Sequence, residues 1–139
     1  MAPPRSSQHE KGDKQGRMPI HIAAANAKAN EIKVLLATGA NPNVQDAQGW
    51  SPLHFAAQSC ASDCIEALID AGADVTLQDI HGNTALFRAV FSYRGDGACI
   101  ERLLGAGADP LSINKHGTSP ASLARQIANY DVAKFFADK

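Results

Sequence analysis

Gly49-Trp50-Ser51-Pro52-Leu53-His54-Phe55-Ala56-Ala57 decides the fold, because the chain repeats it. Gly82-Asn83-Thr84-Ala85-Leu86-Phe87-Arg88-Ala89-Val90 begins 33 residues later, and Gly16-Arg17-Met18-Pro19-Ile20-His21-Ile22-Ala23-Ala24 begins 33 residues earlier. A worn copy, Gly117-Thr118-Ser119-Pro120-Ala121-Ser122-Leu123-Ala124, follows 35 after the third. A fixed period of this length implies a stacked array rather than a globule around one cleft. Such an array offers a surface to a partner more readily than it offers a catalytic pocket.

A second set of residues keeps the same step. Gly39-Ala40-Asn41, Gly72-Ala73-Asp74 and Gly107-Ala108-Asp109 recur, as do Asp13, Asp46, Asp79 and, after the longer step, Asn114. These place four units at 13–45, 46–78, 79–113 and 114–139, behind a flexible leader over 1–12. The leader is polar and lacks the apolar core of a secretory signal; it is either native or an expression remnant. The two extra residues of the third unit fall near Ser92 to Ala98, where Arg94-Gly95-Asp96-Gly97 spells a loop.

Each unit reads helix, turn, helix, loop. Ser51-Pro52 and Ser119-Pro120 combine a capping hydroxyl with Pro at the first helical position, where the missing N–H costs nothing. Thr84-Ala85 keeps the cap alone. Met18-Pro19 keeps Pro alone, so the first helix should start about 1 kcal/mol less favourably. The first helices are Ala-rich (Ala23, Ala24, Ala56, Ala57, Ala89), which permits close approach. The second helices carry the bulk on one face: Ile32, Leu35, Leu36; Ile65, Leu68, Ile69; Ile100, Leu103, Leu104; Val132, Phe135, Phe136. Gly39, Gly72 and Gly107 fit the left-handed residue that ends a helix. Glu31 and Asp131 take the register of Cys64 and Cys99, as end-capping units would.

The pattern resembles the ankyrin repeat over about nine tenths of the chain, best at Asp46 to Ala57 with Gly72-Ala73-Asp74. The resemblance implies an all-α solenoid of four helix-turn-helix units with β-turn or hairpin-like loops. It also implies a non-enzymatic protein-binding scaffold that works through loop tips and the concave side of its first helices. Phe87 and Ala121 stand where the family has His, and Ala85 where it has Pro. The family's histidine braces the loop of the adjoining repeat, so the last two units should lack that brace.

Bulk chemistry narrows the function further. Hydrophobic residues make up 45% and charged ones 19%, which suits a folded chain. A net charge of -1 supplies no field for nucleic acid or an anionic membrane, and no apolar run reaches the about 20 residues a span needs. Arg5, Lys11, Lys14 and Arg17 cluster, but are too few to suggest nucleic-acid binding. Three cysteines make no disulfide framework and point to a reducing cytoplasm. No phosphate, dinucleotide, nucleophile-elbow or zinc-protease motif is present, and no cofactor is expected.

His21 and His54 read as bracing residues before ligands or bases. Cys60, Cys64 and Cys99 read as small core residues before a redox or zinc set, since no Cys-x-x-Cys pair supplies half a tetrahedral site. Arg94-Gly95-Asp96 reads as a turn before an adhesion motif. The binding residues expected on the surface are Lys14, Gln15, Arg17, Gln48, Trp50, Gln58, Ile80, His81, Asn83, Tyr93, Arg94, Lys115 and His116. Trp50 has polar counterparts in Arg17, Asn83 and Thr118, so it either meets a partner or packs on a neighbouring loop. Phe91 is either core or interface, while Tyr93 and Arg94 are the better surface candidates. His81 and His116 could make binding pH-dependent.

The leading expectation is a monomeric, cytoplasmic, non-enzymatic module that binds one folded protein, with neither nucleic acid nor membrane as partner. A sharper alternative is an inhibitor or immunity protein that masks a toxin or enzyme. The remaining alternative is a cysteine-based metal or redox protein.

Overall fold

The structure, a computed structural model, describes residues 12–127 and 131–136. Among the described residues seven α-helices follow one another, the first six in pairs: α1 Pro19–Ala25 with α2 Ala29–Ala37, α3 Pro52–Gln58 with α4 Ser62–Asp70, and α5 Ala85–Phe91 with α6 Ala98–Gly105. The seventh, α7 Pro120–Gln126, pairs with a 3-10 helix at Asp131–Phe136. Among the described residues there is no strand. The odd-numbered helices pack in sequence as one layer (α1 on α3, α3 on α5, α5 on α7), and α2, α4 and α6 as a second. Contact therefore runs from each pair to its neighbours, as in a quasi-one-dimensional array.

Small residues explain the close inner layer. Ala23, Ala24, Ala56, Ala57 and Ala89 are all buried between first helices. Ile32, Ile65, Leu68, Ile100 and Leu103, at 0 or 1% exposure, fill the seam between layers. At about 25 cal/mol per Å² of apolar surface, that seam is the main favourable term, and no single pair could bury it alone. Gly39, Gly72 and Gly107 end α2, α4 and α6 at φ of 106°, 90° and 96°, all left-handed. The N–H of the following alanine in each case reaches back to Leu35, Leu68 or Leu103 at 3.0 Å, closing the helix end.

The loops carry a second repeating device. Asp46 Oδ1 accepts the N–H groups of Gln48 and Trp50, and Asp79 Oδ1 those of His81 and Asn83. Asp13 and Asn114 do the same for Gln15 and Arg17, and for His116 and Thr118. A short side chain thus closes each loop on itself. One backbone bond then joins each loop to the next: Ala47 N–H to Gln15 O at 2.7 Å, Ile80 to Gln48 at 3.0 Å, Lys115 to His81 at 2.9 Å. The residue after each acceptor is Gly16, Gly49 or Gly82. A Cβ on Gly49 would stand 2.8 Å from Asp79 Cα. Glycine there meets a left-handed φ and a close crossing at once.

His21 and His54 brace as expected. Each Nδ1 accepts its own helix-capping N–H (Met18 at 2.8 Å, Ser51 at 3.1 Å), and each Nε2 donates to a loop carbonyl, Val44 and Asn83, both at 2.8 Å. The two partners fix the Nε2–H tautomer and leave no place for a second proton. Burial, the dominant cause, pushes both histidines below their ordinary value.

Several expectations need correction. The fourth copy's residue at the histidine register is Ser122, not Ala121, and its Oγ takes the Ser119 N–H at 2.8 Å. The last apolar set, Val132 to Phe136, winds as a 3-10 helix with Val132 and Phe136 buried. Cys64 and Cys99 are core, but Cys60 is exposed. It sits at φ 56° in the α3–α4 turn, as Ala27 does at 57° between α1 and α2, which turns its side chain off the packed face. The leader residues 1–11, with Arg5 and Lys11, and the Asp131 side chain lie outside the described residues.

Candidate functional site

The loop tips and the open flanks of α3 and α5 enclose a concavity of about 370 Å³. Six residues expected from the sequence line it: Gln15, Arg17, Gln48, Trp50, Gln58 and His81. Asp46, Phe55 and Arg88 complete the wall. The larger groove, about 600 Å³, lies beside α2 and α4 and is walled mainly by Lys28, Asn30, Glu31, Lys33, Asp63, Glu66 and Asp70. It has no aromatic anchor, so the smaller concavity is the better binding candidate.

Trp50 is half-buried rather than free. Its ring packs 4.8 Å from Phe55 and 5.8 Å from His54, and the Arg88 guanidinium carbon lies 5.0 Å above it. It packs on neighbours and lines the concavity at the same time. The loop hydrogen bond from Trp50 N–H to Asp46 fixes the backbone below it. Arg17 is tied to Asp13 at 2.8 Å; the Arg17 N–H and the other hydrogen bonds hold that carboxyl below its usual range.

Lys14, Ile80, Lys115 and His116 stand exposed at the tips, outside the concavity. His81 and His116 stack on adjacent tips, with ring centroids 6.4 Å apart. Two expected surface residues are buried instead. Asn83, 5% exposed, accepts at Oδ1 from Asn114 Nδ2 at 2.8 Å. That side-chain bond joins the third and fourth loops where the histidine brace is missing. Tyr93, 4% exposed, meets Phe135 edge-on at 5.7 Å, because the long α5–α6 loop folds under the terminal 3-10 helix. Phe91 is exposed in its place, at 57%. Arg94 is exposed on that loop, away from the concavity, and donates to the Tyr93 carbonyl.

Phe55 and Arg88 escaped the sequence reading, which leaves Phe91 open between core and interface. The signal was there. Ile22, Phe55, Arg88 and Leu123 share one repeat register and vary from copy to copy beside a constant alanine (Ala23, Ala56, Ala89, Ala124), as Trp50 does beside a constant glycine. Ile22 is 45% exposed and Phe55, Arg88 and Leu123 are intermediate, so the register faces outward.

The geometry is that of a repeat array with an aromatic-walled hollow. A family model for ankyrin repeats, in three copies, matches residues 5–79 and again 21–114. The chain belongs to the ankyrin-repeat family. A search of curated proteins finds no match to it. Ankyrin repeats are generally protein–protein interaction modules and typically non-enzymatic. In this ankyrin-repeat chain no helix among the described residues is long and apolar enough to cross a membrane. Nor do three or more His, Cys, Asp or Glu gather there as a metal set.

Proposed function

We propose that this ankyrin-repeat chain is a non-enzymatic module that grips one folded protein through the concavity and the loop tips of its four units. The observation that carries this reading is the meeting of Trp50, Phe55 and Arg88 in one hollow, rimmed by Gln15, Gln48 and Gln58. Aromatic and arginine side chains at the centre with polar groups around them are the arrangement in which binding energy concentrates. Ile80, 45% exposed, extends the apolar area onto the adjoining tip. We take the module as a monomer, and as cytoplasmic because its three cysteines are free thiols.

The test is a partner captured from native lysate and then titrated against purified variants. Trp50→Ala with Ile80→Ala should weaken that complex by at least about 2 kcal/mol while far-UV circular dichroism stays unchanged. Unaltered affinity in a folded double variant would refute the surface assignment. If the captured partner is an enzyme and loses activity in the complex, the module is an inhibitor rather than an adaptor.

A further inference from the structure

Of the two arginines that line the hollow, Arg17 and Arg88, only Arg88 has no ion pair among the described residues. Its guanidinium carbon lies 5.0 Å from the Trp50 ring centroid and 5.3 Å from that of Phe91. The two rings cover its apolar surface and fix its direction. Among the described residues no hydrogen bond or ion pair reaches its side chain, and its Nε is buried without a partner. No neighbouring charge pairs with it directly, although that of Asp79 acts on it from beyond ion-pair distance. Arg17 is bound to Asp13. Asp46 and Asp79 spend Oδ1 on their own loops, and Asp79 Oδ2 is itself buried and unbonded. Arg88 lines the hollow, so an acceptor that enters it meets a guanidinium that no group of the chain has engaged.

Resting on the function proposed above, we infer that Arg88 is the seat for a single carboxylate, an Asp or Glu side chain of the protein partner, entering beside Trp50. An apolar neighbour of that acid lies on the exposed face of Phe91. Guanidinium and carboxylate match as a planar two-point pair. The local charge balance selects a monoanion. Asp46 lines the same hollow and the Asp79 charge acts on Arg88, so a phosphate dianion would meet two carboxylates for one unengaged guanidinium. Burial also lowers the Arg88 pKa, and an incoming carboxylate opposes that effect.

The probe is a phage-displayed library of random linear peptides selected on the intact protein, with the strongest binders then made synthetically. Binders should be enriched in Asp or Glu next to a large apolar residue. Asp→Asn or Glu→Gln in the peptide should weaken binding at least tenfold. Arg88→Met, which keeps the stem between the two rings, should do the same, while inorganic phosphate at matched ionic strength should not compete. Binders that lose affinity with Trp50→Ala but ignore Arg88→Met and carry no acid would overturn the carboxylate seat and leave the binding surface standing. Binders indifferent to both variants, or no binders at all, would count against the surface as well. Displacement by phosphate would replace the carboxylate with a phosphorylated ligand and so overturn the inference.

Discussion

Replacing Gly49 and Gly117 in turn by alanine separates backbone strain from the crowding that locks one loop onto the next. Both glycines are left-handed, at φ 79° and 78°. An alanine held there costs about 1–2 kcal/mol, offset in part by about 0.4–1 kcal/mol from a stiffer unfolded chain. Gly117→Ala meets nothing else, since no atom lies within 4 Å of the added carbon; its loss should be about 1 kcal/mol. Gly49→Ala puts a methyl 2.8 Å from Asp79 Cα and 3.0 Å from Ile80 N. Those are backbone atoms, so the next loop must retreat. Retreat stretches the Ile80 to Gln48 bond, worth about 0.5–1.5 kcal/mol, and adds an overpacking cost of about 1–3 kcal/mol. The expected loss is about 3 kcal/mol for Gly49→Ala, against about 1 for Gly117→Ala. Urea denaturation followed by far-UV circular dichroism reads both, and about 2 kcal/mol between them is about 1–2 M in midpoint. Equal losses would refute the claim that the crossing, rather than φ alone, demands glycine.

Other consequences are open to direct measurement. His21 and His54 are neutral in the fold with lowered pKa, so the unfolded chain binds more protons below its ordinary value of about 6.5. Stability is therefore full above that pH and falls as pH drops through it, by up to about 1.4 kcal/mol per unit for each histidine; urea midpoints that stay flat between about pH 7 and pH 5 would contradict the brace. Ala27→Gly and Cys60→Gly should each raise stability by up to about 1 kcal/mol, because glycine relieves the left-handed turn; no gain in thermal midpoint for either would show the strain to be absent. Native thiol labelling should modify Cys60 first and leave Cys64 and Cys99 slow, with burial pushing the Cys99 thiol up to about 12. Gly97→Ala drives a methyl into the Phe135 ring and should cost about 1–3 kcal/mol. The same change in a Phe135→Ala background should cost far less, and a cycle without coupling would mean the 3-10 helix does not press on this loop.

Much of this was legible in the chain itself. The period, the capping Ser-Pro pairs, the glycines at 39, 72 and 107 and the spacing of Ile65, Leu68 and Ile69 each express local chemistry, so the helices and their stacking followed from residues read one unit at a time. The bracing role of His21 and His54 was carried by resemblance and then seen in atoms. The repeat register also located Trp50 and the polar residues around it, because variation among copies marks positions that packing does not dictate.

Tertiary contact decided the rest. Whether Tyr93 or Phe91 is covered depends on where a two-residue insertion sends the α5–α6 loop, and the 3-10 helix that covers it lies some forty residues onward. Asn83 looks like a solvent-facing loop residue until the next loop brings Asn114 against it. Arg88 acquires its meaning only when Trp50, from the preceding unit, and Phe91, one turn along its own helix, close over it from two sides. Pattern within a unit governs secondary structure because those forces act over a few residues; the surface a partner would touch is assembled between units, where distances along the chain no longer indicate distances in space.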